Sequence, residues 1–335
     1  ALVGYYILPY DWSFTFSMTF GAILAATDPV AVSALLNELG APPRLKMHIS
    51  GESLLNDGSA IVFFTIFKQL FLFDLGLEGG KEIGWAEGVK IFFEMSAGAA
   101  AVGIAFGWLL LITLKALNRR FNGEEAIVQV SATIGYAYLT YYVAEAILHM
   151  SGVIAVVFCG IFAKAFASTL IIDNQMMAKF WVLVEHLLNT LLFVLGGVVW
   201  GTVICNQDPQ RPEDFSGRDW GYLFVVYVLM SIIRAFLFSV FYPIISRIGL
   251  KSNLKEMAFQ SFGGLRGAVG IALAISLDNE VIHETVRIDP RRAFTSQLFG
   301  ITGGISLLTL FINGTLAGPL LKHFKLGRAS EQRKK

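Results

Sequence analysis

The sequence predicts an all-α polytopic membrane protein, and three features of its composition support that prediction. The 335 residues are 55% apolar and have a mean hydropathy of +0.62. Charged residues make up 15% of the chain, against about 25% in soluble proteins, which is too few to cover a soluble surface of this size. The net charge of +1 argues against a nucleic-acid binder, since such proteins are strongly basic. Cys159 and Cys205 lie far apart, which excludes a disulfide framework.

Ten apolar segments provide the predicted spans, because a helix needs roughly 20 apolar residues to cross the hydrocarbon core. They are a short segment at 1–9 and helices near 13–38, 47–73, 86–117, 124–148, 152–168, 176–204, 219–247, 255–277 and 295–325. Turn-forming pairs such as Gly79-Gly80 and Asn122-Gly123 separate several of them. The chain begins inside an apolar run without a methionine. We therefore expect a fragment whose N-terminal spans are missing and which continues past residue 335.

The basic residues are concentrated in one alternate set of the connecting loops. That set holds Arg44, Lys46, Lys115, Arg119, Arg120, Lys164, Lys179, Arg247, Lys251, Lys255 and the basic residues after 321. The opposite loops carry most of the acidic residues, such as Asp208 and Glu213. Cytoplasmic loops of membrane proteins carry an excess of Lys and Arg. The first set and the C-terminus are therefore predicted to be cytoplasmic.

The span at 13–38 contains a motif that predicts a helix broken at membrane depth. Pro29 lacks a main-chain N–H and moves Asp28 away from the helical conformation. Thr27 and Asp28 also favour helix ends over helix interiors. A break here would free main-chain carbonyl groups that can bind a cation. The alternative is a simple proline kink, which membrane helices tolerate.

Four polar side chains open the next span: Glu52, Ser53, Asn56 and Asp57. Helical spacing places Glu52 with Asn56 on one stripe and Ser53 with Asp57 on another. One stripe can then face a counter-charge while the other faces a cavity. Asp57 has no cation close to it in the sequence. An acid at this depth is a functional candidate, and such a carboxylate can hold either a proton or a small cation.

A second interrupted span is predicted at 263–267, where three glycines surround Arg266. Two interrupted spans in corresponding positions indicate a transporter site built from inverted repeats. Arg266 needs an anion at this depth, and Glu52 is the candidate partner. Arg234 is a second buried cation, and we expect it to hold a carbonyl group or an acid between helices.

These motifs closely resemble those of the monovalent cation–proton antiporter-1 family. The matching segments are ATDPVAV at 26–32, GESLLND at 51–57 and GGLRG at 263–267. That family includes animal sodium–proton exchangers, prokaryotic NhaP antiporters and plant Salt-Overly-Sensitive exchangers. The run ALLNELGA at 34–41 is most similar to the plant plasma-membrane type, and the sperm-type exchangers are also similar there.

The resemblance implies an NhaA/NhaP-like fold of thirteen spans with two inverted six-helix repeats, of which this chain would provide spans four to thirteen. It places the core transport domain at 1–73 and 219–325, the linker helix at 86–117 and a dimerisation scaffold at 124–205. Residues 326–335 would begin a cytoplasmic tail. It also implies a homodimer, a plasma-membrane location and a role in salt tolerance.

The resemblance further assigns roles at the site. Asp57 would carry the cation and the proton, with Ser53 and the Thr27 main chain completing the shell of a bound Na⁺ together with a water near Glu52. Asn56 would support the crossing of the broken helices.

Two more residues receive roles from the resemblance: Asp28 would also support the crossing, and Arg266 would pair with Glu52.

Electrogenic relatives have a second aspartate where this chain has Asn56. The chain is therefore expected to exchange one cation for one H⁺ without net charge transfer. Na⁺ is the expected cation. Exchange of K⁺ or Li⁺, and a non-transporting sensor on the same fold, stay open.

An enzyme is not expected. The five histidines are scattered along the chain, and none forms a recognisable pattern with either cysteine. Neither a nucleophile with its base nor a metal cluster is therefore predicted. The expected partners are the transported ions and membrane lipid, with no cofactor.

Overall fold

The computed structural model describes residues 1–77, 79–118, 124–205, 215–247, 253–284 and 291–326. Within these ranges the regular elements are helices, as predicted. They are α1 (Leu2–Tyr6), α2 (Phe14–Ala25), α3 (Val30–Glu38), α4 (Pro43–Asp74), α5 (Trp85–Phe93), α6 (Ala99–Ala116), α7 (Glu124–Tyr142), α8 (Gly152–Phe166), α9 (Asn174–Ile204), α10 (Gly217–Ile245), α11 (Leu254–Phe262), α12 (Ala268–Glu284), α13 (Arg291–Leu308) and α14 (Thr315–His323).

Among the residues that the structure describes, five helical segments are long and apolar enough to cross a membrane. They are Trp85–Ala116, Gly152–Thr169, Asn174–Ile204, Gly217–Ile245 and Gln297–His323. The prediction of a multi-pass, all-helical membrane protein is therefore confirmed. The acidic residues Asp208 and Glu213, and the tail from 327 onward, lie outside the described residues.

Three predicted spans contain a wide π-helical turn that their sequence did not indicate. These turns are Glu94–Gly98 between α5 and α6, Val143–Ile147 after α7, and Thr309–Gly314 between α13 and α14. A π turn inserts one residue into the α-helical register and is often found at functional positions. Apolar periodicity does not detect it, since the hydrophobic stripe simply shifts by one residue.

Both predicted breaks are confirmed. The first separates α2, which ends at Ala25, from α3, which begins at Val30. The second separates α11, which ends at Phe262, from α12, which begins at Ala268. α12 then continues to Glu284, seven residues beyond the predicted end of its span at 277.

The chain divides into two compact units. The first comprises Ala1–Ala60, Phe71–Gly80 and Leu192–Lys335, and the second comprises Ile61–Leu70 and Lys81–Leu191. The first unit contains both breaks. Compared with the predicted transport domain, it leaves out 61–70 and also contains 74–80 and the residues from 192 to 218, of which 192–205 belong to the predicted scaffold. The functions assigned to the two domains stay predictions.

Apolar packing in the first unit fixes the helices around the breaks. Val32 and Leu36 of α3, Leu45 of α4, Phe259 of α11 and Leu265 form one buried cluster. Burying such side chains contributes about 1.5–3 kcal/mol each. The short helices that flank each break are thus held by side-chain packing as well as by their own hydrogen bonds.

An ion pair joins the N-terminal ends of α4 and α11 in the same unit. Arg44 donates to Oε1 of Glu256 from both Nε and Nη2, at 2.9 and 2.6 Å. Glu256 is buried, and its other oxygen accepts the Asn253 N–H that begins α11. The pair therefore fixes where α11 starts relative to α4.

Candidate ion-binding site

The two helix breaks meet in an antiparallel main-chain contact. The Asp28 N–H donates to the Leu265 carbonyl oxygen at 2.9 Å, which makes an isolated β-bridge between the first break and the second. Gly267 allows this approach, because a Cβ at that position would lie 2.3 Å from Asp28 Cβ. Gly264 has a similar role, since its Cβ would lie 2.4 Å from Arg234 Nε. Two glycines of the GGLRG motif, Gly264 and Gly267, are therefore needed for close contact.

Substituting alanine at Gly267 is expected to disrupt this crossing. The new methyl group would overlap Asp28, whose main chain belongs to the contact, so the two breaks must separate. We expect a loss of stability of about 1–3 kcal/mol, typical of overpacking, measured as a lower thermal unfolding temperature in detergent. Gly221→Ala is the matched control, since a Cβ at Gly221 has open space. Equal stability of the two variants would contradict the tight crossing.

Two side chains of α4 hold the main chain of the first break. Oδ1 of Asp57 accepts the Thr27 N–H at 3.1 Å, and the Ser53 hydroxyl donates to the Thr27 carbonyl oxygen. Both groups of Thr27 that the break frees are thus bound by residues four apart on one helix. The structure brings together Asp57, Ser53 and Thr27, the three residues predicted for the cation shell.

Asn56 and Asp28 lie beside this shell. Asn56 Nδ2 donates weakly to Thr27 Oγ1 at 3.4 Å and to Glu52 Oε1 at 3.5 Å. Asp28 Oδ1 accepts the Val30 N–H at 2.9 Å, which caps the first turn of α3. These contacts are consistent with the supporting roles expected for both residues, since each satisfies a polar group at the break.

The ion pair of Glu52 differs from the predicted one. Glu52 Oε1 lies 2.6 Å from Arg234 Nη2, and Glu52 Oε2 accepts from Gln260 Nε2 at 2.9 Å. The expected Glu52–Arg266 pair is therefore wrong for this structure. Arg234 passes over Gly264, which has no side chain to block it, and so reaches Glu52 from α10.

Arg234 and Arg266 have different environments. Arg234 also donates to the carbonyl oxygens of Ser261 and Gln260, at 2.9 and 3.1 Å, which agrees with the role expected for it between helices. Arg266 is buried, and its Nε and Nη1 have no hydrogen-bond partner among the described residues. It is nevertheless close enough to Glu52 and Asp57 to interact with both electrostatically.

A cavity of about 500 Å³ adjoins the ion pair. The polar residues that line it are Glu52, Asn56, Arg234 and Arg266, and the rest of its lining consists mainly of apolar residues of α1, α2 and α10. The Glu52–Asn56 stripe therefore faces both the counter-charge and the cavity, whereas the helical spacing predicts one of them for each stripe. The Ser53–Asp57 stripe faces the first break instead.

Gln260 is a residue of this site that the sequence analysis missed. It lies in α11 and is buried; its side-chain amide donates to Glu52, and its main-chain carbonyl oxygen accepts from Arg234. A glutamine three residues before the GGLRG motif, within an apolar run, was the available signal. Buried polar side chains of this kind are almost always hydrogen-bonded.

Comparison with known proteins identifies a family that this chain matches. A family model described as "Sodium/hydrogen exchanger, transmembrane" matches residues 1–323. Sodium/hydrogen exchanger 7 of Arabidopsis thaliana is 35% identical over 95% of this chain, and sodium/hydrogen exchanger 8 of the same plant is 33% identical over 98%. The chain spans 26% and 41% of the length of these two relatives.

Prokaryotic antiporters are also similar. The Na⁺/H⁺ antiporter NhaH of Halobacillus dabanensis is 28% identical over 97% of this chain and 71% of its own length. The solved structure of the sodium proton antiporter MjNhaP1 from Methanocaldococcus jannaschii superposes with a TM-score of 0.64. The superposition covers 92% of this chain and 71% of that one, at 23% identity. At this identity the likeness concerns the fold.

Proposed function

Because the chain belongs to the sodium/hydrogen exchanger family, whose members are transporters rather than enzymes, we propose that it exchanges Na⁺ for H⁺ across a membrane. Asp57 is the proposed shared site of the two ions. The observation that carries this proposal is the Asp57 carboxylate against the main chain of the first break, with Ser53 beside it. Of the two acids at this end of α4, Glu52 has an ion-pair partner and Asp57 has none in the described structure.

The oxygen atoms around Asp57 suit a small hard cation. Such ions prefer carboxylate, hydroxyl and carbonyl oxygen ligands. The Ser53 hydroxyl now donates its hydrogen to the Thr27 carbonyl. For Na⁺ to bind, that hydrogen rotates away, and the hydroxyl and the carbonyl both become ligands next to the Asp57 carboxylate. When Asp57 is protonated instead, the Ser53–Thr27 hydrogen bond re-forms and the site closes without an ion.

The two ions compete for one carboxylate, which makes the exchange obligatory. A bare Asp57 carboxylate would be costly to move through the membrane, whereas a protonated or cation-paired one is neutral. Glu52 is paired with Arg234, and the proposed mechanism requires this pair to persist in both states. The site is thus able to cross only when it is loaded with one ion or the other, and it opens alternately to the two sides.

Flux measurements test this proposal. The full-length protein is reconstituted into liposomes with an acidic interior, and Na⁺, K⁺ or Li⁺ is added outside while the internal pH is recorded. Na⁺ is expected to dissipate the gradient. Faster dissipation by K⁺ would favour K⁺/H⁺ exchange. No response to any cation would contradict transport and favour a sensor that retains the fold.

We further propose that the exchange is electroneutral. Asn56 stands where a second carboxylate would be needed to carry an additional charge, and Asp57 carries one H⁺ or one Na⁺. Each net charge transferred would be worth about 2.3 kcal/mol per 100 mV. Holding the liposome potential at several values with K⁺ and valinomycin should therefore leave the rate and the reversal point of exchange unchanged. A reversal point that moves with voltage would contradict the one-carboxylate mechanism, provided that K⁺ alone drives no flux.

The remaining expectations concern the cellular setting. We propose a cytoplasmic C-terminus, which the distribution of Lys and Arg among the loops supports. The homodimer, the plasma-membrane location, the role in salt tolerance and the inverted repeats stay predictions from the family resemblance.

A further inference from the structure

The second break opens one particular hydrogen bond of the helix. In a continuous α-helix the Arg266 N–H would donate to the Phe262 carbonyl oxygen four residues earlier. α11 ends at Phe262 and α12 begins only at Ala268, so that bond is absent. A main-chain group left unpaired in a buried position is destabilising, so both groups need new partners.

Two side chains of the π turn that follows α13 take up both halves of the opened bond. Thr309 Oγ1 accepts the Arg266 N–H at 3.1 Å, and Asn313 Nδ2 donates to the Phe262 carbonyl oxygen at 3.0 Å. Thr309 is 1% exposed and Asn313 is 6% exposed. Their burial leaves little access for water to replace them.

Further hydrogen bonds fix the orientation of this pair. The Thr309 hydroxyl donates to the Ser306 carbonyl oxygen at 3.0 Å. Asn313 Oδ1 accepts from the Tyr227 hydroxyl at 2.6 Å. The assignment of the Asn313 amide nitrogen and oxygen is therefore set by its two partners, one of which can only accept and the other of which donates.

The arrangement repeats that of the first break with neutral side chains. Ser53 and Asp57, four residues apart, bind the carbonyl and the N–H that the first break frees. Thr309 and Asn313, also four residues apart, bind the N–H and the carbonyl that the second break frees. Only the first pair includes a carboxylate, which is the group that the proposed exchange needs to hold a proton and a cation in turn.

We propose that Thr309 and Asn313 are positioning residues for the cation site at Asp57, a role that rests on the function proposed above. Thr309 holds the N–H of Arg266, the residue next to Leu265. The Leu265 carbonyl holds the Asp28 N–H, and Asp28 is next to Thr27, whose carbonyl is a proposed Na⁺ ligand. Thr309 thus sets the place of that ligand through two hydrogen bonds, one from the Arg266 N–H to its own hydroxyl oxygen and one from the Asp28 N–H to the Leu265 carbonyl oxygen.

Thr309→Val tests the proposal, because valine keeps the shape of threonine but cannot accept the Arg266 N–H. We expect the Na⁺ concentration for half-maximal exchange by the full-length protein to rise about tenfold, as for a buried hydrogen bond lost near a binding site. Thr309→Ser keeps the hydroxyl and should restore most of the affinity. Thr315→Val is the matched control, since the exposed Thr315 hydroxyl bonds within its own helix, to the Phe311 carbonyl oxygen.

Tyr227→Phe provides a second, milder variant in case Thr309→Val does not fold. It removes only the hydroxyl that orients Asn313, and we expect a smaller rise of about threefold in the same concentration. The folded variants could unfold at a lower temperature and yet keep the Na⁺ dependence and the pH profile of exchange unchanged. That result would show a merely structural role and overturn the proposal. Absence of exchange by the unmodified protein would instead overturn the proposed function itself.

Discussion

Asp57→Asn is expected to abolish sodium–proton exchange while leaving the fold nearly intact. The asparagine carbonyl oxygen can still accept the Thr27 N–H that Asp57 accepts now, so the first break keeps its contact with α4. The amide cannot bind a proton or neutralise a cation, and the substitution also removes the cost of burying a carboxylate. We expect exchange to fall to the background of protein-free liposomes, and the free energy of unfolding to change by no more than about 1 kcal/mol.

A matched substitution on the same helix provides the control for this prediction. Asp74 is the last residue of α4 and is exposed, where it accepts a hydrogen bond from Thr15 at 2.7 Å. Asp74→Asn makes the same chemical change away from the break and should retain exchange. Both variants are measured by Na⁺-induced dissipation of a pH gradient in proteoliposomes. Substantial Na⁺-dependent proton flux by Asp57→Asn would remove Asp57 from the mechanism.

The parts of the site that lie close together in sequence could be predicted. The first break follows from the limits that Pro29 places on its own residue and on Asp28. The grouping of Ser53 with Asp57 follows from helical periodicity, and in the structure both side chains form hydrogen bonds with the main chain of Thr27. These inferences need only local geometry, which is why they hold.

The contacts between distant helices could not be predicted in the same way. Two arginines, Arg234 and Arg266, were available for Glu52, and sequence spacing does not say which of them points toward it. The outcome depends on Gly264, whose missing side chain opens the path for Arg234. The sequence predicts that this glycine weakens the helix. It does not predict that the glycine leaves room for the Arg234 side chain, because that depends on where α10 and α4 lie.

Thr309 and Asn313 show a second limit of sequence reasoning. Threonine and asparagine in an apolar helix commonly bond to their own helix or to a neighbour, so neither residue indicates a special role. Their importance depends on the π turn, which changes the register of the helix at that point. It also depends on the second break lying opposite, and neither feature has a sequence signal at position 309.

Breaking the pair formed by Glu52 and Arg234 is expected to destabilise the protein strongly. Both side chains are mostly buried, at 19% and 14% exposure. Removing one partner leaves the other charge without its counter-ion, which typically costs about 3–5 kcal/mol. Glu52→Gln and Arg234→Gln should each destabilise the protein strongly. The double variant should recover part of the loss, with a coupling energy of about 2 kcal/mol in a thermal or denaturant double-mutant cycle.

A second cycle that combines Glu52→Gln with Arg266→Gln separates the two arginines. Arg266 interacts with Glu52 only electrostatically, without a hydrogen bond in the described structure. Its coupling to Glu52 should therefore be less than half that of Arg234. The reverse order would assign the ion pair to Arg266, and strictly additive losses in both cycles would mean that Glu52 pairs with neither. The electroneutral mechanism requires Glu52 to stay neutralised while Asp57 changes its ion. Additive losses would therefore leave a second free carboxylate beside the cavity. The exchange would then be expected to respond to voltage.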